Sequence, residues 1–279
     1  MKAFIRLAGM LVTLAVFTPP AYAQSKEALE LANRLFERAG LGAQLASIPG
    51  EFERGLSPNR GKLPDEMIAA LAEAGKKGFA PAVLREEIVG SLARKMPAAD
   101  MKRVLAWLEG DLGRRMTLAE EKAAGALTPE NMQAWFESQK DKPSSSKRTR
   151  LIAELIAATK AVEVGATFME AISLGIAAGM DAAQPVEKRI GISTLRARLR
   201  AQFPPDKLRA SMSAALPAMY GYTYREIGDA DLAAYVKFNS SALGTRYNEA
   251  ATAALGEALV SASMRVGEFI QGTPEKKSI

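Results

Sequence analysis

One stretch of this chain occurs twice, and that recurrence limits the possible architecture. Asp231 to Tyr247 reads DLAAYVKFNSSALGTRY, and Asp100 to Met116 reads DMKRVLAWLEGDLGRRM. The two align without a gap. Asp100 matches Asp231, Leu112 matches Leu243, Gly113 matches Gly244 and Arg115 matches Arg246. Trp107 falls on Phe238 and Met101 on Leu232. Average residue usage gives about one identity by chance over such a window. The excess points to a repeated structural unit.

The surrounding pattern is helical. Met101, Val104, Leu105, Leu108 and Leu112 form one stripe at helical spacing. Pro64 opens a helix ended by Gly78, and another spans Pro81 to Lys95. Thr128 followed by Pro129 reads as an N-cap and first-turn proline, with Met132, Trp135 and Phe136 as the apolar face beyond. Lys140 to Ser146, KDKPSSS, has linker composition. After it Leu151, Ile152, Leu155 and Ile156 repeat the pattern of Leu31, Ala32, Leu35 and Phe36. The expectation is an all-α chain of two tandem multi-helix repeats, bundle-like and without a sheet. They occupy residues 24–140 and 147–279, joined by a linker at 141–146. One merged core and two separate bundles both fit this pattern.

The first residues read as an export signal. Lys2 and Arg6 precede an uncharged apolar run, Leu7 to Phe17, too short to span a bilayer. Pro19 and Pro20 end it, and Ala21-Tyr22-Ala23 is a small-x-small cleavage site. The mature chain is expected to begin at Gln24, in the periplasm or secreted; the alternative is an N-terminal anchor helix. Removing two of 37 basic residues leaves 35 against 31 acidic ones, a mild surplus.

Histidine and cysteine are both absent. That excludes thiol nucleophiles, His general bases, Ser-His-Asp catalysis and the usual zinc ligand sets. Acid–base work would fall to carboxylates, Lys or Tyr. No cofactor and no metal are expected. Glu163 and Glu170 share a face of the apolar stretch Val162 to Met180. They read as the wet edge of a mostly buried helix, or as a catalytic carboxylate pair. Ser144-x-x-Lys147 has the spacing of a Ser/Lys pair but falls in the linker, without the structural context such a motif needs.

Two stretches are candidate contact surfaces. Pro185 to Phe203 reads as a basic helix carrying Lys188, Arg189, Arg196, Arg198 and Arg200. Lys188, Arg189, Arg196 and Arg200 could make a weak contact with an anionic surface. No dense basic motif for nucleic acid is present. Tyr220, Tyr222 and Tyr224 alternate around Gly221, read as a bent connector, and Phe238 follows nearby. Such tyrosines stack on sugars, line an apolar pocket, or sit in the core with hydroxyls at the rim.

The repeated stretch itself reads as a helix–cap–helix joint. Asp231 starts a helix, Phe238 is an aromatic wedge, Ser241 caps the next helix, and Gly244 permits close backbone contact. In the first copy Trp107 and Gly113 fill the wedge and contact positions, with Gly110 in place of the serine. Asp231-Leu232 with Phe238, Ser241 and Gly244 resembles a family of exported bacterial helical domains, the domain of unknown function twenty fifty-nine. The resemblance covers about residues 215–269, with a diverged copy near 84–124. It implies an exported, envelope-associated helical protein and brings no catalytic residues. The functional expectation is a non-enzymatic protein that binds an envelope protein or polymer. Two alternatives stand beside it. One is a carrier of small apolar ligands, built on the small-residue face Ala250 to Ala262. The other is a carboxylate-based hydrolase.

Overall fold

The computed structural model describes residues 26–140 and 145–272. The expected signal and cleavage site, most of the linker, and Ser144 lie outside the described residues. The described residues are helical, with neither strand nor sheet among them.

Six helices make the first repeat: α1 (Lys26–Arg38), α2 (Leu41–Leu56), α3 (Asp65–Gly78), α4 (Pro81–Lys95), α5 (Ala98–Leu108) and α6 (Asp111–Ala124). A connecting helix, α7 (Pro129–Gln139), follows. Six more make the second repeat: α8 (Ser146–Ala158), α9 (Ala161–Ala182), α10 (Gly191–Gln202), α11 (Pro205–Thr223), α12 (Asp229–Asn239) and α13 (Ala242–Gln271). The ends follow local chemistry. Thr128, Ser145 and Ser241 cap their helices by accepting from the backbone N–H groups of Asn131, Arg148 and Gly244. Pro81, Pro129 and Pro205 occupy first-turn positions, where a missing N–H costs nothing.

Helix by helix the repeats correspond. In the first, α1 packs on α2, α4 and α5; in the second, α8 packs on α9, α11 and α12. The turn after α1 needs a left-handed residue, Gly40 (φ 66°), and the turn after α8 needs Lys160 (φ 55°) at the matching place. Thr117 Oγ1 donates to the Arg38 carbonyl oxygen at 3.1 Å, while Asn248 Nδ2, at the aligned position, donates to that of Ala158 at 3.0 Å.

The last helix of each repeat also crosses into the other: α6 packs on α11 and α12, and α13 on α4 and α5. The core is therefore not divided at the linker. Leu31, Phe52, Leu84 and Met101 share one buried cluster with Ile172, Leu259 and Val266. Met116 is buried instead among Leu155, Leu216 and Leu232 of the second repeat. The apolar helix α9 is long and apolar enough to cross a membrane. Here its second half lies in the core between α13 and α2, and its first half is only partly covered.

Candidate functional site

The two copies of the repeated stretch meet face to face. Trp107 and Phe238 stack at 4.0 Å between ring centroids, 9° from parallel. Arg115 Nη2 donates to Asp231 Oδ2 at 2.9 Å, and Arg246 Nε donates to Asp100 Oδ2 at the same distance. Aligned residues thus exchange partners, as across a two-fold axis. Ser241 Oγ accepts from the Gly244 N–H at 3.0 Å and donates to the Phe238 carbonyl oxygen at 2.6 Å. A Cβ on Gly244 would lie 2.1 Å from the Phe238 oxygen, and one on Gly113 would lie 2.3 Å from the Trp107 oxygen. All five motif residues have structural work in this joint.

The tyrosines lie beneath it. Tyr220 and Tyr222 belong to the end of α11 rather than to a bent connector, and Tyr224 follows that helix directly. Gly221 makes room for a ring instead of bending the chain, because its Cβ would lie 2.8 Å from Trp135. Tyr224 is only 3 % exposed, so it belongs to the core and not to a contact surface. Tyr220 is half-buried, its hydroxyl 3.1 Å from Thr159 Oγ1, and desolvation pushes its pKa up to about 12. Tyr222 meets Trp135 edge-on and carries the Arg225 guanidinium over its face. Phe238 is spent on the stack with Trp107. All four aromatic candidates make packing contacts, but only Tyr224 is buried; Tyr220, Tyr222 and Phe238 are partly covered.

The centre of this cluster is a residue that the sequence reading passed over. Tyr224 and Tyr235 both donate to Oε1 of Glu120, at 2.6 and 2.8 Å. Glu120 rides on α6 into the second repeat, where burial raises its pKa and the two tyrosine hydroxyls partly offset that rise. A signal was available. Gly113, Met116, Glu120 and Ala123 fall on one stripe, so a carboxylate occupies a core-facing position. In the ungapped alignment Ala251 stands opposite Glu120 and Val104 opposite Tyr235, so the first repeat is apolar at the corresponding place. Glu120 is held by phenols rather than by a second carboxylate.

The basic stretch differs from its expected form. A short 3-10 turn, Val186–Lys188, precedes α10, and the helix begins only at Gly191 (φ 78°). The Asp181 carboxylate holds that start by accepting from the N–H groups of Ile190 and Gly191. Lys188 and Arg189 therefore do not share the helix face. Arg189 Nε donates to the Gln184 carbonyl oxygen. Arg200 grips both oxygens of Glu170, and Arg196 lies 3.9 Å from it. Glu170 is thus neither a free edge nor half of an acid pair; it fastens α10 to α9. Lys188 and Arg198 are exposed, and Val186 and Phe203 beside them are 73 and 47 % exposed.

Among the described residues no group of His, Cys, Asp or Glu is arranged to hold a metal ion. Two open grooves lie away from α10, the second beside the Asp100–Arg246 pair of the joint. One, of about 360 Å³, runs between α1 and α4 beside Leu29, Asn33, Arg85 and Val89. The other, of about 280 Å³, is lined by Met96, Asp100, Arg246 and Ala250. The small-residue face of α13 is filled: Ala254, Ala258 and Ala262 are buried, and Ser263 Oγ donates to the Ala171 carbonyl oxygen of α9 at 2.8 Å. Phe136 of α7 is 48 % exposed, so the apolar face expected there is only half used.

No family model, curated protein or solved structure matches this chain. The functional reading therefore rests on its own residues.

Proposed function

We propose that the protein is an exported, non-enzymatic binding protein of the bacterial cell envelope, and that α10 with the start of α11 carries its contact with an anionic partner. The observation behind this reading is where the charge sits. Residues 185–209 hold seven basic and two acidic side chains, five of the net +6 of the whole chain. None of the residues of α10 is buried, so this charge lies outside the core. Tyr224, by contrast, is buried in the core. The signal-like pattern of the first residues and the absence of His and Cys support the same reading.

The test uses the full mature chain, immobilised and exposed to envelope extract. Salt-sensitive retention of protein or glycan is expected, and it should be lost when Lys188, Arg198 and Lys207 are changed together to Glu. Retention indifferent to both salt and these changes would sink the proposal.

A further inference from the structure

In the first repeat the third helix is roofed. α13 runs beyond its own repeat and lies across α3 and α4. Val266 sits over Gly78, where a Cβ would come within 2.7 Å, and Arg265 Nε donates to the Gly78 carbonyl oxygen at 3.0 Å. Lys77 of α3 lies over the ring of Phe269. In the second repeat the counterpart of α3 is α10, and the counterpart of α13 is α6. But α6 ends at Ala124 after 14 residues, whereas α13 continues for 30. Beyond Ala124 the chain turns through Gly125 and Thr128 into α7, which meets α11 near its end through Trp135. Among the described residues no helix supplies that roof. α10 packs chiefly on α9 and buries no residue. Across its 19 residues α11 buries only Leu216 and Gly221.

We infer that the uncovered side of α10 and α11 is a berth for one amphipathic helix of a partner protein, acidic on part of its surface. It takes the place that the second half of α13 takes in the first repeat. This rests on the binding reading above and specifies the partner. Three observations define the occupant. The difference between α13 and α6 gives it a length of about 16 residues, some four turns. The exposed side chains of Val186 and Phe203, which flank α10, and of Met169 on α9 offer it apolar contacts. Lys188, Arg198 and Lys207 form no ion pair with the described carboxylates, which complements a negative helix and disfavours a basic one.

The experiment titrates the full mature chain with three probes. The first is a fluorescent 16-residue peptide with Leu at i, i+3, i+4 and i+7 positions and Glu on the other face. The second is its scrambled isomer, of equal composition and charge. The third is vesicles containing phosphatidylglycerol. The patterned peptide should bind. Scrambling, or the combined Lys188→Glu, Arg198→Glu and Lys207→Glu change, should each weaken it by about tenfold or more, with circular dichroism unchanged. Equal binding of the two peptides overturns the helix berth but leaves an anionic contact surface standing. So does binding to vesicles alone. Failure of all three probes, together with envelope retention that ignores the triple change, overturns both the berth and the reading beneath it.

Discussion

α3 and α10 occupy equivalent places in their repeats, yet α3 lies under α13 while α10 rests on α9 with its outer side uncovered by any described helix. What separates them is the length of the closing helix, 30 residues in α13 against 14 in α6. A second difference sits at the crossing point. α13 brings Ala251 into an apolar neighbourhood, whereas α6 brings Glu120 to two tyrosine hydroxyls. The joints where the repeats meet are nearly identical in geometry. Shared features therefore mark what the interlock requires, and the departures mark where the two repeats are closed differently.

The hardest test of the shared part is the pair of contact glycines. Gly113→Ala and Gly244→Ala each drive a Cβ into a backbone carbonyl oxygen, at 2.3 and 2.1 Å. A backbone atom cannot swing aside as a side chain does, so each change should cost about 3 kcal/mol or more. Urea unfolding measures it. Equal losses confirm two equivalent joints; a loss at only one of them breaks the comparison.

The crossing residue gives the next largest effect. Burial raises the Glu120 pKa above the ordinary 4.5, so the fold favours its protonated form. Its contribution is complete below that ordinary value and declines as pH rises through the folded pKa. Tyr220, Tyr224, Tyr235, Tyr247 and Glu121 are the titratable groups around it. The tyrosine pKa values are all raised, so these phenols stay neutral across this range. Glu120→Gln should therefore gain stability over the parent as pH rises, by about 1 kcal/mol near neutrality, and gain nothing in acid. Tyr224→Phe should do the reverse. It removes a donor from a buried carboxylate and should cost about 1–3 kcal/mol near neutrality, less in acid. Denaturation at several pH values reads both slopes. A flat difference between Glu120→Gln and the parent would mean that the carboxylate is already well solvated.

Much of this was legible in the sequence, and the failures have physical reasons. Pro81–Lys95 and the Thr128 cap were readable because proline and capping hydroxyls act locally. The joint was readable because it occurs twice. The fate of Tyr220, Tyr222 and Tyr224 was not, since it depends on α6 and α7 arriving from a distant part of the chain. Their alternation fitted a short strand and Gly221 argued for a bent connector, but positions 220 and 224 also share a helix face. Arg196 and Arg200 looked like a free basic surface because nothing nearby in sequence announces Glu170. Glu120 could have been found from its place on an apolar stripe. The exchange of α6 and α13 between repeats could not, because periodicity fixes a helix's buried face without naming what covers it.

The stack at the centre offers a finer probe. Trp107 and Phe238 should couple in a double-mutant cycle to alanine by about 1 kcal/mol, the ordinary value for an aromatic pair beyond its buried area. No coupling would mean that each ring packs against its own repeat.

The smallest effect belongs to the exchanged ion pairs, and it tests the symmetry most closely. Both are made at 2.9 Å, but their surroundings differ: the Asp100 side chain is 14 % exposed and that of Asp231 is 42 % exposed. The hydrogen bond from Arg246, with Arg103 adding charge nearby, holds the Asp100 carboxyl below its ordinary value. Its contribution is therefore present above that ordinary value and fades as pH falls through the lowered one. Asp100→Asn should weaken the fold slightly more than Asp231→Asn, and both losses should shrink as salt is added. Restoring each pair in reverse, as Asp100→Arg with Arg246→Asp and as Asp231→Arg with Arg115→Asp, separates geometry from charge. Recovery at both places means that the two-fold arrangement tolerates either polarity. Recovery only at Asp231 means that Arg103 fixes the sign at Asp100, so even the shared joint is already specialised in the first repeat.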